Sequence, residues 1–271
     1  MYFLCKIDTE NDGFPLEWML PRAKIDSDTD FHLQKGAKTM YYKRRLCIGG
    51  GADHAFSAAG ELSETAGLQV LSGTADTFRY STILTGNLPD TASQRRAADA
   101  LVPILGQYLG DRTGKRYLAA GIGNLSVTPD SLGPRCIGRL ISSPDTSPAL
   151  FTVTPGIPAK TGMDTARTVR ALAESIRADC IITVDALAAK SRESLASVIQ
   201  ITDQGTAPGS GTGSGESSVI CRETMGIPVV SAGVPTVIES GELLVTPADC
   251  DRVTDVFSRV LAWGITGALF R

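Results

Sequence analysis

The chain has 271 residues, 42% of them hydrophobic, and a formal net charge of -3 at pH 7. That is enough apolar side chain to bury a core in one large domain or two small ones. The mildly acidic balance argues against a coat for nucleic acid or for a membrane surface, since both need a concentrated basic field; the short cluster Lys43-Arg44-Arg45 reads as a solvated turn.

Residues 1–45 mix charges, aromatics and turn formers without a sustained period. They are expected to form an irregular arm or pro-segment, with Met40 as an alternative start, ahead of a single α/β domain over 46–271. The apolar opening Met1 to Cys5 is broken by Lys6, Asp8 and Glu10 before a signal-peptide core is complete. No stretch approaches about 20 apolar residues, so no transmembrane helix is expected. Strands are predicted at 67–71 and 78–84. A helix follows Asp90-Thr91, its apolar stripe running through Ala97, Ala98, Leu101, Ile104, Leu105 and Leu109 to a stop at Gly110.

From there strands and helices alternate. Strands are expected at 117–122, 149–153, 181–184 and 228–232, with helices at 134–140, 164–176 and 251–263. The unbroken apolar content of 181–184 implies burial on both faces. This order predicts a three-layer α/β/α sandwich with a mainly parallel sheet.

Two aspartates stand where strand-like segments give way to loops. Asp130 lies in Val127-Thr128-Pro129-Asp130-Ser131-Leu132-Gly133-Pro134, and Asp185 follows Cys180-Ile181-Ile182-Thr183-Val184. In open α/β sheets ligands bind beyond the carboxyl ends of strands, and these positions are about two βα units apart, so both loops can share one rim. Two carboxylates in mutual reach share a proton; the ionised member can deprotonate water while the protonated one hydrogen-bonds to a scissile carbonyl. Taken alone, each aspartate also suits a helix N-cap or turn.

Rival chemistries are poorly supplied. His32 and His54 are the two histidines, both in the weakly patterned N-terminal part, and no His-Glu-x-x-His run exists. The six cysteines lack the close spacing of zinc sites. Cys136 and Cys180 have apolar neighbours and read as small hydrophobes in a reducing, cytoplasmic compartment. No metal and no cofactor is expected. The glycine-rich run from Gly205 to Gly215 lacks the Gly-Lys-Ser/Thr end of a phosphate loop. It reads instead as a loop over the site, or a backbone surface for an extended peptide. Candidate substrate contacts are Gly209, Ser210 and Gly211, with Asp203 beside them and Asn124 on the turn after Gly121-Ile122-Gly123. For Asp203 and Lys160 surface roles are the plainer reading. Lys190 and Ser191, placed on a helix after Asp185, would not face each other as a dyad.

Taken in order, these motifs resemble the germination protease family of spore-forming bacteria. The match runs from Gly121-Ile122-Gly123-Asn124 and the Asp130 block through Pro155-Gly156-Ile157 and Thr161-Gly162-Met163. It continues through Asp185-Ala186-Leu187-Ala188-Ala189-Lys190-Ser191, Ile201-Thr202-Asp203 and Pro208-Gly209-Ser210-Gly211 to Gly226-Ile227-Pro228-Val229-Val230 and Gly233-Val234-Pro235-Thr236-Val237. The resemblance implies a fold akin to hydrogenase-maturation proteases and an aspartic endopeptidase, with catalytic residues at Asp130 and Asp185. It also implies a homotetramer in the forespore or spore core, made as a zymogen, which cleaves small acid-soluble spore proteins at germination. The chain departs from the family before residue 90, where the family's processed N-terminal segment is only faintly echoed by Gly51-Ala52-Asp53-His54-Ala55-Phe56. Two alternatives stand beside this reading: a peptide-binding, non-catalytic spore protein of the same fold, and a metal-dependent maturation-type protease using an aspartate with His54.

Overall fold

The structure, a computed structural model, describes residues 4–7, 41–45, 57–75, 77–189, 191–209, 219–240 and 243–271. Its strands are β1 (Leu4–Ile7), β2 (Tyr41–Arg45), β3 (Ser57–Thr65), β4 (Leu68–Ala75), β5 (Phe78–Leu84), β6 (Arg116–Gly121), β7 (Ala149–Val153), β8 (Cys180–Ala189), β9 (Val198–Thr202), β10 (Val229–Ser240) and β11 (Leu243–Pro247). The helices are α1 (Thr91–Leu109), α2 (Leu132–Ile137), α3 (Pro158–Thr161), α4 (Thr165–Ile176), α5 (Arg222–Met225) and α6 (Cys250–Phe270).

The strands form one sheet in the order β2-β3-β4-β5-β9-β10-β8-β6-β7, with β11 antiparallel to β10 and β1 parallel to β11. From β10 to β7 all neighbours are parallel. From β2 to β10 they are antiparallel. The expected α/β architecture is present, its parallel part being the half that carries both aspartates.

Strand alternation builds the layers. Tyr117 and Ala119 of β6, with Ile182 and Val184 of β8, pack on one face with α1, α2 and α6. Leu118, Ala120 and Ile181 face the other side, against Ala166, Val169 and Ala173 of α4 and Met225 of α5. Helix α1 begins as the sequence predicts: the Asp90 carboxylate accepts from the Ser93 N–H at 2.7 Å, and Ser93 closes a capping box. Asp164 caps α4, its carboxylate accepting from the Arg167 N–H at 2.7 Å.

Several expectations are corrected. Strand β8 does not stop before Asp185; it continues to Ala189 because Ala186 to Ala189 pair with Val234 to Ile238 of β10. The alanine-rich segment favours helix by local propensity, and tertiary pairing overrides it. Ser191 therefore follows a strand and opens a one-turn 3-10 helix, Arg192–Ser194. Lys43-Arg44-Arg45 belongs to β2 rather than to a turn. The 134–140 helix starts earlier and ends at Ile137. Helix α6 is longer and more apolar than expected, long enough by composition to cross a membrane, yet 72% of that stretch is buried inside the protein. Val253, Phe257, Val260, Leu261 and Ile265 are part of the core on the α1 and α2 side. The proposed boundary between arm and domain falls largely on residues outside those described.

Candidate active site

The chain leaves β6 beside β8, where the Ile122 N–H donates to the Val184 carbonyl at 2.8 Å. It then folds into a closed loop. Val127 N–H bonds to Asn124 O at 3.0 Å, Asp130 N–H to Val127 O at 2.9 Å, and Asn124 N–H to Asp130 O at 3.1 Å. Gly123 makes this closure possible: it has φ +118°, and a Cβ there would lie 2.1 Å from the Asp130 carbonyl oxygen. Gly133 lets α2 approach the sheet, since its Cβ would meet Ile122 O and Val184 O at 2.3 and 2.4 Å. From the far side, Thr236 of β10 donates its hydroxyl to Pro129 O at 2.7 Å. The one-turn helix Thr128–Asp130 is thus held by β6, α2 and β10 together, and half-buried Asp130 ends it.

Asp185 shares a face of β8 with Ile181 and Thr183, by strand alternation, and lies opposite Gly233 of β10. It is 9% exposed. Its Oδ2 accepts the hydroxyl of buried Thr206 at 2.9 Å. Thr206 is itself fixed by a two-bond bridge to Ile220, with N–H to O distances of 3.0 and 2.8 Å.

The electrostatics follow from this burial. Loss of solvent raises the Asp185 carboxyl first and the charge of Asp130 raises it further, to about 7, against the lowering effect of the Thr206 hydroxyl. Burial lifts Asp130 to about 6, opposed by a backbone hydrogen bond from Asn124. Asp185 therefore lies in the field of Asp130, and with both carboxyls raised the two retain a proton near neutrality, the arrangement that acid-base chemistry needs.

The other candidates are placed differently. Asn124 shapes the Asp130 loop, its Oδ1 accepting the Ser126 N–H at 3.0 Å. Asp203 is held by Arg79, through the backbone N–H at 2.6 Å and Nε at 2.8 Å. Gly209 is exposed at the edge of the described residues; Ser210 and Gly211 lie outside them, as do Lys190, His32 and His54. Lys160 Nζ donates to Ser126 Oγ at 2.6 Å, tying α3 to the Asp130 loop. Cys136 and Cys180 are buried free thiols pushed up to about 12 by burial, consistent with hydrophobes rather than nucleophiles. Among the described residues no three His, Cys, Asp or Glu side chains gather as a metal site would require. Two residues were missed from sequence, Thr206 and Thr236. Each acts through one hydroxyl on a distant partner, which no local pattern signals.

A model of the family described as Germination protease matches residues 72–242. The germination protease of Caldanaerobacter subterraneus subsp. tengcongensis is 33% identical over 56% of this chain and 50% of that protein. That of Clostridium acetobutylicum is 30% identical over 64% of this chain and 70% of that protein. That of Priestia megaterium is 37% identical over 52% and 40%. The chain thus spans about half the length of most of these relatives. Among solved structures, a [NiFe] hydrogenase maturation protease, HycI from Thermococcus kodakarensis KOD1, aligns at 18% identity with a TM-score of 0.38, over 58% of this chain and 98% of that one.

Proposed function

The chain belongs to the germination protease family, and we propose that it is an endopeptidase in which Asp130 and Asp185 form a carboxyl pair that activates water. The observation that carries this reading is that the turn after β6 brings Asp130 close enough to Asp185, buried within the adjacent parallel strand β8, for its charge to act there, with both carboxyls raised.

The less buried Asp130 is ionised first and serves as base; the more buried Asp185 keeps its proton and serves as acid. As water attacks the scissile carbonyl carbon, Asp130 takes a proton from it and Asp185 protonates the carbonyl oxygen, giving a neutral tetrahedral diol. The C–N bond then breaks as Asp130 passes its proton to the leaving nitrogen and Asp185 recovers one from a diol hydroxyl. The products are an amine and a carboxylic acid, and the pair returns to its starting state. The substrates proposed by family membership are small acid-soluble spore proteins cut at germination. A homotetramer, N-terminal processing and a place in the forespore or spore core belong to the same proposal.

The test is incubation of the purified chain with a small acid-soluble spore protein beside Asp130→Asn and Asp185→Asn, with fragments read by mass spectrometry. Discrete fragments from the parent chain are expected, with losses of about 10²- to 10⁴-fold or more in each variant. An unimpaired Asp185→Asn enzyme would sink the pair.

A further inference from the structure

Asp185 has two carboxyl oxygens, and the fold treats them differently. Oδ2 is occupied by the Thr206 hydroxyl at 2.9 Å, inside a region where Thr206 is 5% exposed and Asp185 9%. Thr206 cannot easily swing away, because its backbone is clamped to Ile220 by two hydrogen bonds. Gly205 ahead of it has φ +99°, and a Cβ there would lie 2.1 Å from Ile220 O. In a protonated carboxyl the carbonyl oxygen is the better acceptor, so a hydrogen bond donated to Oδ2 favours the proton on Oδ1.

We propose that Thr206 is a positioning residue of the reaction, which by donating to Oδ2 locks the Asp185 side chain and confines its exchangeable proton to Oδ1. This rests on the reading of Asp130 and Asp185 as an acid pair. A general acid works when its proton points at the atom that receives it; without Thr206 the carboxyl keeps the backbone hydrogen bond from Ala186 but loses the side-chain donor that favours one oxygen over the other.

The same hydrogen bond stabilises the ionised form, so its removal moves the Asp185 titration upward. The groups facing Asp185 from neighbouring elements are few among the described residues. Asp130 approaches from the turn before α2, and its charge raises Asp185. On α2, Arg135 is engaged with Ser131 and Asp251. β10 presents Gly233 and β6 ends at Gly121, neither titratable. Near Ile220, the Cys221 thiol is paired with Thr224.

The experiment compares the parent chain with Thr206→Val, Thr206→Ser and, as control, Thr183→Val. The control deletes a buried hydroxyl bonded to Ser231 at 2.6 Å on the same strand without touching the Asp185 carboxylate. Two readouts are taken: the pH profile of cleavage of a small acid-soluble spore protein, and the carboxyl 13C titration of Asp185, assigned by its loss in Asp185→Asn. Thr206→Val is expected to lower kcat about tenfold or more with little change in KM, and to raise the Asp185 titration and the alkaline limb by roughly one pH unit. Thr206→Ser should restore both, and Thr183→Val should move neither limb nor titration. An Asp185 titration unchanged in Thr206→Val, or one moved equally by Thr183→Val, overturns the role of Thr206. If Thr206→Val does not fold, a Thr206→Ser protein that fails to match the parent titration overturns it as well. If the parent chain cleaves nothing while Thr206→Val still shifts the titration, the endopeptidase reading fails and the positioning contact stands.

Discussion

Thr236 on β10 donates its hydroxyl to the carbonyl of Pro129, 107 positions earlier in the chain, at 2.7 Å and out of solvent. This bond ties the turn ending in Asp130 to the sheet that carries Asp185. Thr236→Val keeps the shape and leaves a buried carbonyl without that donor, a loss of about 1–3 kcal/mol. It is expected to lower Tm and, by loosening Asp130, to reduce kcat by up to about 10²-fold, with Thr236→Ser recovering both. Calorimetry and steady-state cleavage assays check this. A Thr236→Val protein with normal kcat would show that the turn is held well enough without the bond.

Gly123→Ala tests the loop from its other end. An alanine there would have to keep a backbone φ of +118° with its Cβ 2.1 Å from Asp130 O, so either the loop opens or Asp130 moves. A destabilisation of about 3 kcal/mol or more is expected, together with loss of cleavage. A crystal structure or hydrogen exchange of residues 122–131 would locate the change; exchange rates equal to the parent's would refute it.

The parts of this fold legible in sequence are those governed by short-range periodicity. β7, α4 and the Asp90 cap fall where alternation, the 3.6-residue stripe and N-cap chemistry put them. The turn that carries Asp130 was legible because Pro129-Asp130-Ser131 carries turn chemistry. The end of β8 was not, because Ala186 to Ala189 are strand only by virtue of β10. β9 was missed although Ile199-Gln200-Ile201-Thr202 alternates: the run is only five residues long, and its burial on both faces comes from pairing with β5 and β10. Thr206 and Thr236 are unremarkable in sequence, and their partners are set by how remote strands cross.

Asp203 separates loop polarity from catalysis. Its carboxylate is spent on Arg79, a pair that is partly exposed, with Arg79 also stacked on Tyr108 at 4.6 Å. Screening by solvent limits the worth of such a pair to about 1 kcal/mol or less. Asp203→Asn should therefore shift Tm only slightly and leave kcat at the parent value. A loss of kcat comparable to that of Asp130→Asn would instead place Asp203 against substrate.

Asp185→Asn makes a prediction about stability that needs no substrate. In the folded chain Asp185 holds its proton up to about pH 7, against a reference of 3.8 for an unperturbed aspartate, chiefly because burial penalises its charge. Between these values the folded state binds more protons than the unfolded one, so this group's contribution is full below about pH 4, declines as pH rises and is lost above about 7. Asparagine carries no charge to bury and can still accept the Thr206 hydroxyl. The variant should match the parent near pH 4 and become progressively more stable than it up to about pH 8, with at most about 4 kcal/mol between them. Thermal unfolding across that range measures the difference. A pH-independent gap would mean that Asp185 titrates as an ordinary carboxylate, and the pair would lose the retained proton on which its chemistry depends.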